Sequence, residues 1–212
     1  MMGSRRVLLG GFAVMPMLGA LSAVMPGVAL AAPSVSGSAA EAFIKNAGEG
    51  LVAIVNGPGS KAAKADKLRQ LVSQIVAVGK IGRFVLGRFV RVATPAQVAE
   101  YEKLFHELLA YNITTQIRAY QGLTFTVKGA STGPEGEMVS TVITRPGQSP
   151  AHVQWVVQSI GGQPKIIDVV VEGTSLRVTE RSDYASVIDD NGGQVAALLK
   201  AMHQQLARMR AS

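Results

Sequence analysis

The stretch Asp168–Ile188, DVVVEGTSLRVTERSDYASVI, decides the fold. It opens on a β-branched run, Val169-Val170-Val171, that stops at Glu172-Gly173. β-Branched side chains fit a pleated strand, and Gly takes up the backbone conformations of a tight turn at little steric cost. A second short strand pattern follows at Leu176 to Thr179, and Ser182-Asp183 then offers a helix start. The stretch therefore joins the end of a sheet to the beginning of a helical segment.

Upstream of this junction the pattern is also strand-like. Leu123, Phe125 and Val127 alternate with Thr124, Thr126 and Lys128. Met138 to Thr144 forms the next run. Val153, Trp155 and Val157 then alternate with Gln154 and Gln158, and Gly161-Gly162 marks a tight turn before Ile166 to Val171. Five strands with short spacers predict an antiparallel meander.

Helical spacing appears on either side. Ser38-Ala39-Ala40-Glu41 reads as a capping box ahead of Phe43, Ile44, Ala47, Leu51, Ile54 and Val55. Asn56-Gly57-Pro58-Gly59 ends that helix, and a second one covers Ala62 to Val78. Gly79, Gly82 and Gly87 predict a short, tightly packed helix. Thr94-Pro95-Ala96-Gln97 starts a longer helix that extends to about Tyr120. Closing helices fall near Asp183 to Asp189 and Gln194 to Met209. Helices, then strands, then helices predict an α+β fold with a helical layer on one face of the sheet.

The first 31 residues read as a signal peptide rather than part of this fold. Arg5-Arg6 precedes a mostly apolar segment, Val7 to Val28, and Ala29-Leu30-Ala31 supplies an A-x-A cleavage site. Ser4-Arg5-Arg6-Val7-Leu8-Leu9 has the form of a twin-arginine export signal. Residues 32–212 are then the mature domain, exported to an oxidising compartment. The chain carries no cysteine, which excludes thiolate nucleophiles and Cys-ligated metals.

The net charge of +7 is uneven. Between residues 61 and 91, Lys61, Lys64, Lys67, Arg69, Lys80, Arg83, Arg88 and Arg91 face only Asp66. A basic region on an exported protein suits anionic lipid surfaces or acidic protein partners, and export argues against nucleic acid. A solvated helix face is the plainer explanation.

Catalytic patterns are scarce. His106, His152 and His203 form no metal-spaced pair, and no G-x-S-x-G elbow occurs. Asp168 and Glu172 are the one candidate carboxylate pair. On a strand they lie about 13 Å apart at 3.3 Å per residue, too wide for a typical glycosidase pair. A structural role follows more naturally, such as a salt bridge to Arg177 or Arg181. The three consecutive valines are consistent with an apolar layer on both faces or with an internal cavity.

The chain resembles the MlaC family of periplasmic phospholipid carriers over roughly Ala40 to Met202. The resemblance rests on Arg83-Phe84-Val85-Leu86-Gly87-Arg88-Phe89, on Ala93-Thr94-Pro95-Ala96-Gln97 with Tyr101, Phe105 and Leu108-Leu109, on Val153-Gln154-Trp155, and on the opening stretch. Val90 stands where the family usually has Trp, and Thr174, Glu180 and Tyr184 replace the commoner Val, Gln and Phe. The wording is also similar to hopanoid-associated carriers. The resemblance implies a strongly curved sheet and helices enclosing a deep apolar pocket for the acyl chains of one bound phospholipid, with no cofactor and no catalysis. It implies a monomer that docks to an inner-membrane ABC transporter complex with an MCE protein and to an outer-membrane lipoprotein complex. Such a carrier serves outer-membrane lipid asymmetry.

On that basis the expected lipid-binding residues are Leu108, Ile117, Phe125, Val142, Trp155, Val157, Val169 and Val171. Arg83, Arg88 and Arg91 are expected near the head group or an acidic partner. The competing expectations are an envelope enzyme using Asp168 and Glu172, and a structural adaptor with no lipid-sized cavity.

Overall fold

The first helix starts where the backbone, rather than the motif, allows it. In the computed structural model, which describes residues 34–115 and 122–211, Ser36 is extended (φ −77°, ψ 156°) and caps α1, Gly37–Asn56. Its Oγ accepts a hydrogen bond from Ala39 N at 3.3 Å. An N-cap needs this non-helical backbone, so Ser38, already inside the first turn, is not the cap that its spacing to Glu41 suggests.

Ser60 caps α2, Lys61–Ile75, through Ala63 N at 3.2 Å. This helix ends before Val78 because the sheet takes over its exit. Val76 forms a parallel bridge to Ile166, and Ala77 N donates to Ile166 O at 2.9 Å. The short glycine-punctuated helix is α3, Val78–Leu86, followed by a 3-10 turn over Gly87–Arg91. Gly87 has φ 56°, which breaks the helix at low cost only without a Cβ. The Thr94 signal forms a reciprocal box: Gln97 N donates to Thr94 Oγ1 at 3.2 Å, and Thr94 N donates to Gln97 Oε1 at 2.9 Å. Behind it runs α4, Pro95–Thr115. The expected extension of this helix to Tyr120 lies outside the described residues.

The sheet is an antiparallel meander in sequence order: β1 Thr124–Gly133, β2 Gly136–Thr144, β3 Ala151–Ile160, β4 Gln163–Val171 and β5 Thr174–Ser175. Gly161 (φ 59°) and Gly162 (φ 77°) close the β3–β4 hairpin with two left-handed residues, the conformation that matches strand twist. Glu172 (φ 46°) and Gly173 (φ 81°) repeat the device between β4 and β5. Glu172 is the one non-glycine residue with positive φ among the described residues. Its strain is offset because Oε1 accepts from His152 N at 2.7 Å and its own N donates to His152 O at 3.1 Å. Bulges at Lys128 and Ile167 shift the β1–β2 and β3–β4 registers, and bulges bend the strands that carry them.

The predicted strand Leu176 to Thr179 is instead the first turn of α5, Leu176–Asp189. Ser175 Oγ accepts from Val178 N at 3.2 Å, and this cap overrides the local β-propensity of Leu176 and Val178. After Gly192 and Gly193 the chain closes with α6, Val195–Ala211. No described helix is long and apolar enough to cross a membrane.

Two separate cores result. One joins α3, α4, α5 and α6 through residues such as Val85, Leu86, Tyr101, Phe105, Leu108, Tyr184, Ile188, Leu198 and Met202. The other joins α1 to the sheet through Ala40, Ile44, Val139, Val157 and Ile166.

The helical core carries a pH dependence. Tyr101 OH donates to Gly82 O at 2.9 Å, and its ring lies edge-on to Tyr184 at 6.2 Å. Burial raises both phenols above their ordinary range, with the Glu180 carboxylate adding to the effect. A raised acid contributes fully below its unfolded pKa of about 10 and loses that contribution as pH rises further. Urea midpoints measured upward from neutral pH are therefore expected to fall only above about pH 10, by up to ~1.4 kcal/mol per pH unit per tyrosine. Replacing both by Phe should flatten that limb, and an unchanged slope in the double variant contradicts the assignment.

Candidate functional site

The two cores do not merge. Between them lies a cavity of about 630 Å³, lined from both sides. The sheet contributes Phe125, Ile143, Trp155, Ile166 and Val169. α1 contributes Ile44, Ala47, Gly48 and Leu51, while α2 contributes Leu68, Leu71, Val72 and Ile75. The helical core adds Ile81, Val85, Phe105, Leu108, Leu109 and Tyr184. This volume falls within the ~300–1,000 Å³ typical of small-molecule sites.

The aliphatic and aromatic lining follows from helix and strand periodicity. α2 has its apolar residues at Leu68, Leu71, Val72 and Ile75, one stripe of the helix. α1 can approach the sheet closely because Gly48 lacks a side chain. A Cβ there would stand 2.8 Å from Phe125 Cδ1. Phe125 and Trp155 pack with ring centroids 6.2 Å apart. Trp155 Nε1 donates to Thr141 Oγ1 at 2.9 Å, and that hydroxyl donates to Val153 O at 3.0 Å. The polar atoms of this wall are therefore satisfied, which keeps its surface apolar.

Four polar lining residues, Asp168, Arg177, Thr179 and Glu180, come from β4 and the start of α5, while Asn112 and Gln205 line the cavity from α4 and α6. Asp168 is 5% exposed. Its Oδ1 accepts from Val169 N at 2.8 Å and Arg177 N at 3.3 Å, and its Oδ2 accepts from Ser175 Oγ at 2.6 Å. Arg177 Nε sits 3.2 Å from the same carboxylate without a hydrogen-bonding partner of good direction, and Arg177 Nη2 pairs with Glu135. The guanidinium lies over the Phe84 ring at 4.2 Å. Burial lowers its pKa from the usual arginine value. The cluster ties the first turn of α5 to β4 and to the β1–β2 turn. Leu176, which is half exposed, Thr179 and Asn112 are the exposed lining residues, and they mark the rim of the cavity.

Four of the eight residues expected to contact an apolar ligand line this cavity: Leu108, Phe125, Trp155 and Val169. Ile117 lies outside the described residues. Val142 is a correction. It pairs with Thr126 and His152, whereas Phe125, Trp155 and Val169 occupy the alternate register, so it points from the other face of the sheet. Val157 is also corrected: it is fully buried in the core with Ala40, Ile44, Val139 and Ile166. Val171 shares the face of Val169 but stands at the end of β4 beside the turn, outside the lining.

Arg83, Arg88 and Arg91 likewise do not line the cavity. Arg83 pairs with Glu102 at 3.0 Å and Arg88 with Asp189 at 2.6 Å, both on exposed surface, and Arg91 is exposed. The arginine at the cavity is Arg177 instead. The α1 and α2 stripes were not among the expected ligand contacts, because periodicity identifies an apolar face without saying whether protein or a ligand fills it. Asp168 and Glu172 do not converge on one site. Asp168 holds α5, and Glu172 holds the backbone of His152. Among the described residues no cluster of His, Asp or Glu is placed to hold a metal ion.

A family model for the MlaC protein matches residues 45–204, most of the chain. The chain belongs to the MlaC family. Among curated MlaC relatives, the toluene tolerance protein Ttg2D of Pseudomonas putida is 22% identical over 148 residues, 68% of each chain. A phospholipid-binding protein from Ralstonia solanacearum, solved in complex with a phospholipid, superposes with a TM-score of 0.70. It is 23% identical, with 81% of this chain and 98% of that chain covered. This likeness confirms the α+β architecture of the MlaC fold in this chain.

Proposed function

We propose that this MlaC-family chain is a carrier of phospholipid, binding the acyl chains in the cavity between its two cores. The observation that carries the reading is a cavity of about 630 Å³ whose walls are mostly aliphatic and aromatic. Each methylene taken from a bilayer must be given an apolar environment worth about 0.8 kcal/mol, or roughly 13 kcal/mol for a palmitoyl chain. A surface groove leaves much of that unmet, whereas a lined cavity meets it. The phospholipid complex of the Ralstonia protein supports the same ligand class.

Leu108, Phe125, Trp155 and Val169 are then contacts for the chains, together with the α1 and α2 stripes. The polar end at Asp168, Arg177 and Glu180 is the side nearest the head group. No catalytic step is invoked. Within this reading, residues 1–31 are an export signal, with the twin arginines at Arg5-Arg6 as its recognition element. The mature monomer works in the periplasm, between an inner-membrane ABC transporter complex with an MCE protein and an outer-membrane lipoprotein complex, and so supports outer-membrane lipid asymmetry.

A vesicle assay tests the carrier role. The mature chain, stripped of lipid, is expected to move fluorescent phosphatidylglycerol from donor to acceptor vesicles at a rate proportional to protein concentration. A rate no greater than spontaneous exchange contradicts the proposal.

A further inference from the structure

One stripe of α5 runs from the rim of the cavity into the interior. Leu176, Thr179, Glu180 and Tyr184 line the cavity at helical spacing. Leu176 and Thr179 are exposed, Glu180 is partly buried and Tyr184 is buried. Glu180 therefore stands just inside the rim, one turn ahead of Tyr184, whose hydroxyl meets its carboxylate.

Among the described residues, three charged side chains line the cavity: Asp168, Arg177 and Glu180. Two of these charges answer each other. Arg177 Nε lies 3.2 Å from Asp168, and the same guanidinium also pairs with Glu135. Asp168 further holds Ser175 and Arg177 N, which fixes the first turn of α5, and so the place of Glu180, against β4. Glu180 itself forms no ion pair among the described residues. Arg177 is its neighbour three positions back on the helix, but is already shared by two carboxylates. Arg181 does not line the cavity, and its guanidinium lies over the Phe84 ring at 5.0 Å. The helix offers little either, because Glu180 lies past the first turn of α5, where the positive end of the helix dipole has faded.

The charge left over at this rim is thus a single carboxylate. In the free protein water can hydrate it. A lipid whose chains fill the cavity leaves its polar end at the rim and displaces part of that water. An anionic head group then sets like charges side by side and finds no free cation in the described lining. A head group bearing an ammonium brings the opposite charge, together with N–H donors for the carboxylate.

We propose that Glu180 is a head-group selectivity residue, favouring lipids that carry a primary ammonium over lipids that are only anionic. This rests on the lipid-carrier reading above and adds a substrate class to it.

Glu180→Gln keeps the shape of the side chain and removes its charge. The protein, stripped of lipid, is incubated with vesicles of equal parts palmitoyl-oleoyl phosphatidylethanolamine and palmitoyl-oleoyl phosphatidylglycerol. It is then separated from the vesicles, and its bound lipids are quantified by mass spectrometry. The wild-type protein is expected to carry the ethanolamine lipid in about fivefold excess, the upper end of what an exposed ion pair supplies. Glu180→Gln is expected to carry the two lipids within about twofold of parity, with the total bound lipid unchanged. Equal loading of the wild-type protein overturns the proposal, as does an excess that survives in Glu180→Gln. A wild-type protein that takes up neither lipid overturns the carrier reading itself.

Discussion

Asp168→Ala is expected to cost about 3–5 kcal/mol of folding stability, because it strands a buried guanidinium. Asp168 accepts from two backbone amides and from Ser175 Oγ, and it is the near carboxylate for Arg177. The Arg177 side chain is 10% exposed and keeps only the half-exposed Glu135 as a carboxylate partner once Asp168 is gone. A domain of this kind is typically stable by about 5–15 kcal/mol, so the loss should be plain in urea unfolding. The ion pair itself need not be a large net stabiliser. Asp168→Ala combined with Arg177→Met should be less destabilised than Asp168→Ala alone, because the uncompensated charge is removed. A double variant as unstable as the sum of the two single ones would show that the charges act independently. That result would remove the coupling between β4 and α5 inferred here.

Leu71→Glu is expected to weaken lipid transfer by about thirtyfold or more while the protein stays folded. Leu71 lines the cavity from α2 and is only partly buried. An unbound protein can hydrate the new carboxylate at modest cost. With an acyl chain in place the carboxylate loses that water; a neutral polar group left without a partner already costs about 2–7 kcal/mol and a carboxylate costs more, and even about 2 kcal/mol is about thirtyfold. Leu71→Met preserves volume and apolarity and should transfer lipid at close to the wild-type rate. Full transfer by Leu71→Glu would mean that the chains do not pass this wall.

The sequence carries the fold further than it carries the site. The meander is legible because Phe125, Val127, Val153, Trp155 and Val157 alternate with polar residues and because two-residue turns separate the later strands. The start of α5 was hidden because Leu176-Arg177-Val178-Thr179 has strand propensity. What decides it is a cap, Ser175, itself held by Asp168 from an earlier strand. That is a tertiary contact with no local signal. Val142 failed for a related reason. One residue of register exchanges the faces of a strand, and the sequence does not say which face meets the helices. The cavity is less legible still. Leu68, Leu71, Val72 and Ile75 have the spacing of any buried helix face, and only the placement of α2 against a second, separate core leaves space in front of them. Arg83 and Arg88 stood out for their position in a basic, glycine-rich stretch, yet their charges are met on the surface by Glu102 and Asp189.

The central claim is that the space between the two cores holds a phospholipid. Native mass spectrometry of the protein, purified gently without detergent, tests it most directly. The account predicts a species heavier than the polypeptide by the mass of one phospholipid, with organic extraction releasing that same lipid. A single species at the polypeptide mass, with no phospholipid in the extract, would contradict it.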